Sequence, residues 1–225
     1  MIVAAGIFLI LVPVGFNALF FRLQQIFDYP EILRRPTDEV LRRFHQGGSM
    51  LRATWYAFAL SAILFTPVPV LMLLVFGPDA PWYLVVGTVC GVVAALMQFL
   101  GLIRWSFLVP SLASRFVDPQ SSSATRDATA ITFEAFHRYI GVAIGEHLGY
   151  VFTFAWTLLL SFAIIETGVL PPILGWLGII PALGILAGVL EEVGVKQAAL
   201  VNAIAYVLWS LWLIVLGIVL LFFWT

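Results

Sequence analysis

Six long apolar stretches constrain what this chain can fold into more than any other feature of its sequence. A helix needs about 20 mostly apolar residues to cross about 30 Å of hydrocarbon, and each stretch is long enough to do so. The fourth stretch contains Glu146, whereas the other five contain no charged side chain. We predict a single-domain, all-α bundle of six transmembrane helices over residues 1–21, 53–76, 82–103, 139–165, 169–190 and 198–224.

The composition of the 225-residue chain agrees with a membrane environment. Apolar residues make up 62% of it and charged residues 10%, against about 45–50% and about 25% in soluble domains. The formal net charge of −1 argues against a nucleic-acid-binding protein, which needs a basic surface. The lone cysteine, Cys90, excludes an internal disulfide and a cysteine-rich metal site.

The basic residues set the orientation, because short cytoplasmic loops are rich in Lys and Arg. The loops after helices 1, 3 and 5 together contain all eleven of them: Arg22, Arg34, Arg35, Arg42, Arg43, Arg52, Arg104, Arg115, Arg126, Arg138 and Lys196. We therefore predict that both termini face away from the cytoplasm. No basic residue precedes Ile2, so the first helix is expected to remain in the mature protein rather than to be a cleaved signal peptide.

The two long cytoplasmic loops are each predicted to contain a short helix at the membrane interface. In the first loop, Thr37 is expected to cap a helix with apolar and Arg side chains at helical spacing, which ends at Gly47 and Gly48. In the second loop, the serine cluster at 121–123 is expected to cap a helix that runs toward the fourth span.

Three segments of the chain resemble stretches of an uncharacterised family of bacterial membrane proteins, classed as domain of unknown function 4386. They read DYPEILRRPTDEVLRRFHQGGS, QFLGLIRWSFLVPSLASRF and FEAFHRYIGVAIGEHLGY, and the likeness is best from helix 1 through helix 4. The resemblance implies a protein of the bacterial inner membrane. It assigns no functional residue and no chemistry.

Polar residues inside the predicted spans collect in one leaflet. Glu146 and His147 are expected roughly 10–13 Å below the cytoplasmic face, and Asn17, Gln98 and Asn202 about 6–9 Å below it. Ionisable groups are costly inside a bilayer and often mark function, so the pattern predicts a polar pocket open to the cytoplasm. The alternative for the three amides is that they hydrogen-bond neighbouring helices together.

Helix 4 carries a polar stripe and a face of small residues. The stripe consists of Glu146, Tyr150, Thr153, Thr157 and Ser161, spaced as neighbours on one face of a helix. It could relay protons, or its hydroxyls could bond their own backbone and pack between spans. Glycines recur every four residues at 141, 145 and 149, and small residues do the same at 87, 91 and 95. Helices 3 and 4 are therefore predicted to pack closely.

Glu146 is the expected centre of the pocket. Burial disfavours a charged carboxylate, and the predicted spans contain no Lys or Arg to offset this cost, so Glu146 is expected to hold its proton at neutral pH. Its side chain is expected to share hydrogen bonds with Gln98, Asn202 or Tyr150, and to point away from that of His147.

Two metal hypotheses stay open beside the pocket. His45 and His137 precede spans 2 and 4 at similar depth and could ligate a haem iron. Glu134 and His137 match one Glu-x-x-His unit of a di-iron carboxylate bundle, but the chain has no second such unit. The alternative is that both histidines meet lipid headgroups. The sequence requires no cofactor.

The sequence favours a non-catalytic membrane protein with a cytoplasm-facing pocket for a small ligand or a proton, as in a carrier. It shows no glycine-rich phosphate loop, His-Glu-x-x-His or Gly-x-Ser-x-Gly motif. The first alternative is an accessory subunit of a larger membrane complex, since the chain has little sequence outside its apolar stretches. A haem-binding redox anchor and an intramembrane enzyme are weaker alternatives.

Protease-cleavable tags at either terminus test the predicted orientation. Both tags should be cleaved from outside intact spheroplasts and protected in inverted membrane vesicles, because the basic loops stay in the cytoplasm. A cleavage site inserted at residues 118–122 is the control and should behave in the opposite way. Terminal tags cleaved only from the cytoplasmic side would contradict the prediction.

Overall fold

The computed structural model describes residues 1–223, and every regular element in that part of the chain is helical. The α-helices are α1 Ile2–Phe27, α2 Thr37–Ile63, α3 Pro67–Phe76, α4 Trp82–Phe107, α5 Val109–Val117, α6 Ser123–Phe136, α7 Gly149–Thr167, α8 Pro172–Ala187 and α9 Ala198–Phe222. A π-helical segment, His137–Leu148, joins α6 to α7. Short 3₁₀ turns lie at Glu31–Arg34, Gly77–Asp79 and Gly188–Val193.

Six helical stretches are long and apolar enough to cross a membrane, which confirms the predicted all-α bundle of six spans. They are Ile2–Phe27, Thr37–Asp79, Trp82–Val117, Ser123–Thr167, Pro172–Val193 and Ala198–Phe222. Their length and composition indicate a multi-pass membrane protein. The last residue of the predicted sixth span, Trp224, lies outside the described residues.

The spans form a closed ring in chain order. Each packs against the next, with α2 and α3 continuing one span and α7 following α4, and α9 closes the ring against α1. One end of the ring carries α5, α6 and the segments at 28–36 and 188–197, and we call it the loop-bearing end. The opposite end carries only the short connections at 77–81 and 168–171 and the described ends of α1 and α9.

The third and fourth predicted spans differ from the observed helices in ways that affect the candidate site. Helix α4 continues past residue 103 to Phe107, so Arg104 lies inside a helix and not in a loop. The fourth span is a π-helix as far as Leu148 and an α-helix only from Gly149 onward. A hydropathy pattern gives the length of an apolar stretch but not the pitch of the helix that it forms, so the π segment could not be predicted from it.

Of the two helix caps predicted in the loops, the one in the serine cluster forms and the one at Thr37 does not. The Ser122 side chain caps α6, since its Oγ accepts a hydrogen bond from the Thr125 backbone N–H at 3.1 Å. Thr37 does not cap α2, because Pro36 occupies the cap position and the Thr37 hydroxyl donates to Glu134 Oε1 at 2.7 Å. At Gly48 the backbone leaves the helical conformation with φ of 57°, which breaks α2 where the interfacial helix was expected to end.

Two aromatic cores fill the ring. The core toward the opposite end is built around Trp156, with Phe65 and Trp209 packed against its ring. The core at the loop-bearing end is built around Trp55 and Trp105, whose rings stack with centroids 4.6 Å apart. Residues of the loop segments belong to this second core, so the loops fold onto the spans.

The predicted close packing of α4 on the fourth span is confirmed, but the α4 glycine at the closest approach is Gly101, not one of the small residues predicted at 87, 91 and 95. Gly101 of α4 and Gly145 of the π segment approach so closely that a Cβ added to Gly101 would lie 2.7 Å from the Cα of Gly145. Farther along the same contact, Gly149 lies beside Gln98, and toward the opposite end Gly87 lies beside Leu159. These backbones can approach only where side chains are absent.

Replacing Gly101 should therefore destabilise the bundle. We expect Gly101→Ala to cost about 1–3 kcal/mol, the usual penalty for overfilling a packed interface. Gly15→Ala is the matched control, since a Cβ at Gly15 would meet nothing within 4 Å and alanine is the better helix former. Thermal unfolding in detergent measures both variants, and equal melting temperatures would contradict the close contact.

Candidate functional site

The three amides predicted to line a common pocket lie in three separate contacts. Asn17 donates to Ser210 Oγ at 2.9 Å, Gln98 donates to Thr153 Oγ1 at 3.1 Å, and Asn202 donates to the Ile185 carbonyl at 2.9 Å. Each contact joins two helices that are neighbours in the ring. This is the role of helix-to-helix hydrogen bonds that the sequence analysis gave as the alternative for these residues.

Glu146, His147 and Tyr150 do share one cleft at the loop-bearing end. The π segment and the start of α7 form one wall, and the 3₁₀ turn at Gly188–Val193 forms the other through Gly188, Glu191 and Glu192. The cavity measures only about 10 Å³, which is close to the space that one water molecule needs. Glu146 and His147 line it together, although their side chains were expected to diverge.

Two ion pairs lie at the edge of this cleft. Arg34 pairs with Glu191 at 3.1 Å, and Arg138 pairs with Glu192 at 3.0 Å. Glu146 differs from these carboxylates, because it has no ion pair within 4.0 Å among residues 1–223. Its expected hydrogen bonds to Gln98, Asn202 and Tyr150 are also not formed in the described part of the chain.

Behind the cleft lies Arg104, a basic residue that the sequence analysis placed in a loop. Its side chain is buried, with 7% of the residue exposed. Its guanidinium donates to the Gly101 carbonyl and contacts His137 Nδ1 at 3.1 Å. A Cβ added to Gly141 would lie 2.5 Å from the guanidinium, so a glycine makes room for it.

The expectation that no basic residue lies within a span is therefore wrong. Arg104 ended the predicted third span because a run of uncharged residues stops there. The residues that follow, WSFLV, are mostly apolar, and this continuation was the available signal that the helix goes on. The Arg104 guanidinium packs on Gly141, five residues before Glu146 in the same segment, and forms no direct ion pair with Glu146.

Loop contacts hold Arg34 in place beside the cleft. Asp28, just after α1, accepts hydrogen bonds from Arg43 at 2.7 Å and from Arg35 at 3.0 Å. The hydrogen bond from the Arg43 guanidinium is the main reason that the pKa of Asp28 lies below its ordinary value near 3.8. Since Arg34 is the neighbour of Arg35, these contacts tie the segment that carries it to α2.

The polar stripe of α7 lies inside the bundle. Thr153, Thr157 and Ser161 are almost completely buried. The Thr157 hydroxyl donates to the Thr153 carbonyl at 2.8 Å and accepts from Trp209 Nε1 at 2.8 Å, so protein groups surround it. The Ser161 hydroxyl is buried with no partner among the described residues. The proton-relay role of the stripe stays a prediction.

The histidines considered for haem have different surroundings. His45 is exposed on α2, whereas His137 stacks on Phe133 with ring centroids 5.7 Å apart and contacts Arg104. Glu134, the other half of the Glu-x-x-His unit, accepts the Thr37 hydroxyl. In residues 1–223 no three His, Cys, Asp or Glu side chains are grouped so that they could hold a metal ion.

Comparison with known proteins supports the resemblance seen in the sequence. A family model described as Domain of unknown function (DUF4386) matches residues 4–223, which is nearly the whole chain. No curated protein and no solved structure matches the chain significantly.

The ion pairs of Asp28 predict a pH dependence of stability. Because its pKa is lowered in the folded protein, their contribution is fully present above about pH 3.8 and is lost as the pH falls through the lowered pKa. Asp28→Asn should lower the melting temperature at neutral pH and flatten its decline below pH 3.8. Asn tolerates the positive φ of 53° at this position, so backbone strain does not confuse the comparison.

Asp127→Asn is the control for this measurement, since Asp127 is exposed, lies beyond the first turn of α6 and forms no ion pair within the described residues. Its melting curve should follow that of the wild type at every pH. If Asp28→Asn also did so, the ion pairs would contribute nothing to stability.

Proposed function

Since this chain belongs to the DUF4386 family, we propose from its own residues that it is a non-catalytic integral membrane protein that binds a proton at Glu146. The observation that carries the proposal is that this carboxyl group has no ion-pair partner in the described residues. It lines a cleft whose other two carboxylates, Glu191 and Glu192, each have an arginine partner, whereas Glu146 has none among residues 1–223.

The size of the cleft favours a proton over a larger ligand. A cavity of about 10 Å³ has room for about one water molecule, and small organic ligands need roughly 300 Å³ or more. A single water molecule beside Glu146 could carry a proton between the carboxyl group and the solvent outside the two ion pairs. The same site could serve a larger ligand only after the wall at Gly188–Val193 had moved.

The buried cation behind the cleft supports the same function. A charge inside a bilayer is costly and is usually retained for a purpose. The Arg104 guanidinium is held by the Gly101 carbonyl and His137, not by a carboxylate within 4.0 Å in the described residues. Gain and loss of a proton at Glu146 therefore changes the summed charge of Glu146 and Arg104. Intramembrane acids in carriers couple protons to transport through such a change of charge.

We further propose that the protein lies in the inner membrane of a bacterium with its loop-bearing end in the cytoplasm. All eleven basic residues belong to loops or helix segments toward that end, which supports this orientation through the positive-inside rule. The cleft of Glu146 then faces the cytoplasm, and a carrier role would couple it to the cytoplasmic pH.

Infrared spectroscopy of the protein in lipid nanodiscs tests the proposal. A pH titration should show the carbonyl band of a protonated carboxylic acid that disappears as Glu146 loses its proton, and Glu146→Gln should lack this band. Gln resembles the neutral acid in shape and hydrogen bonding, so the variant should melt at the wild-type temperature. Glu134→Gln, at an exposed position fewer than four turns away, is the control and should keep the band.

Two outcomes would overturn the proposal. The first is a titrating band that persists unchanged in Glu146→Gln. The second is that Glu146→Gln behaves as the wild type in the titration while Glu146→Leu unfolds the bundle, which would make Glu146 a packing residue.

A further inference from the structure

A second cavity lies at the opposite end of the bundle, far from Glu146. It is a groove between α4, α7 and α8 with a volume of about 480 Å³, within the range of about 300–1,000 Å³ that is typical of small-molecule sites. Six residues line it: Tyr83, Leu159, Phe162, Ile165, Glu166 and Trp176. Five of them are apolar or aromatic, and one is an acid.

The acid has no cationic partner in the protein. The Glu166 side chain is exposed and accepts a hydrogen bond from the Tyr83 hydroxyl through Oε2. Within residues 1–223 it forms no ion pair with Lys, Arg or His. Its negative charge therefore borders the groove with no basic side chain to neutralise it.

The charged side chains at this end of the bundle are acidic. Its charged side chains in the described residues are Asp79 and Glu166, while every Lys and Arg of the chain lies toward the loop-bearing end. An acid with no basic side chain beside it attracts a cationic ligand. Anionic ligands are disfavoured here for the same reason.

The aromatic lining suits an organic cation. The faces of Trp, Tyr and Phe rings attract cations, and Trp176 and Phe162 leave 59% and 44% of their surface exposed. Leu159 and Ile165 supply apolar surface for the uncharged body of a ligand. A cationic centre near Glu166 and an apolar body along the groove would satisfy both parts of the lining.

We propose that this groove binds a hydrophobic organic cation, such as a quaternary ammonium or phosphonium compound. Glu166 and the rings of Tyr83 and Trp176 hold the charged centre, and the apolar residues hold the rest. The inference does not depend on proton binding at Glu146, because the two sites lie at opposite ends and share no residue.

Equilibrium binding of radiolabelled tetraphenylphosphonium to the purified protein tests this site. The protein is placed in nanodiscs of phosphatidylglycerol, and nanodiscs without protein give the background. Glu166→Gln should weaken binding about tenfold through loss of the charge, and Trp176→Leu several-fold through loss of the ring. Gln can still accept the Tyr83 hydrogen bond, and unchanged melting temperatures show that both variants fold.

Two variants at the same end provide matched controls. Asp79→Asn removes the other negative charge, and Trp82→Leu removes a ring that is 79% exposed but does not line the groove. Because neither residue lines the groove, Asp79→Asn should weaken binding much less than Glu166→Gln, and Trp82→Leu much less than Trp176→Leu. The neutral molecule triphenylphosphine oxide should bind more weakly than the cation and should not respond to Glu166→Gln.

Three results would overturn the proposal. Equal affinity of the wild type and Glu166→Gln for the probe would show that the charge of Glu166 plays no part in binding. An equal loss of probe affinity in Trp82→Leu and Trp176→Leu would show that both tryptophans act only as membrane-interface anchors. Displacement of the probe by phosphatidylethanolamine, dependent on Glu166, would show that a lipid headgroup occupies the groove instead.

Discussion

The rest of the loop-bearing end depends on the burial of one guanidinium group, that of Arg104. A cation in this position loses its hydration, so the protein must supply hydrogen bonds and space. The Gly101 carbonyl and His137 supply the hydrogen bonds, and the absence of a side chain at Gly141 supplies the space. The contact fixes α4 against the π segment, and that segment in turn presents Glu146 and His147 to one cleft.

The two ends of the bundle differ in their electrostatics. At the cleft of the loop-bearing end, Glu191 and Glu192 are paired with Arg34 and Arg138, and Glu146 is left without a partner in the described residues beside a cavity of about 10 Å³. At the opposite end, Asp79 and Glu166 have no basic side chain near them in the described residues, and the groove is far larger. This contrast is why we assign a proton to the first site and an organic cation to the second.

Much of the fold could be predicted from local sequence, while the partners within the candidate site could not. The six apolar stretches, the Ser122 cap and the close packing of α4 on the fourth span follow from length, spacing and residue type, although Gly101 was not among the residues predicted at that contact. The amides at 17, 98 and 202 each donate a hydrogen bond to a neighbouring helix, and their spacing in the sequence does not say which atom accepts it. Arg34 and Glu191 are 157 residues apart in the chain, and no local pattern joins them.

The sequence by itself determined that the chain enters a membrane as six helices and that its basic residues lie toward one end, because hydropathy and charge are properties of each residue alone. Tertiary structure decided that Arg104 points into the bundle, that the fourth span begins as a π-helix, and that Glu146 and Glu166 border cavities of very different size. These features depend on which helix faces which, and helix faces are chosen by packing between distant parts of the chain.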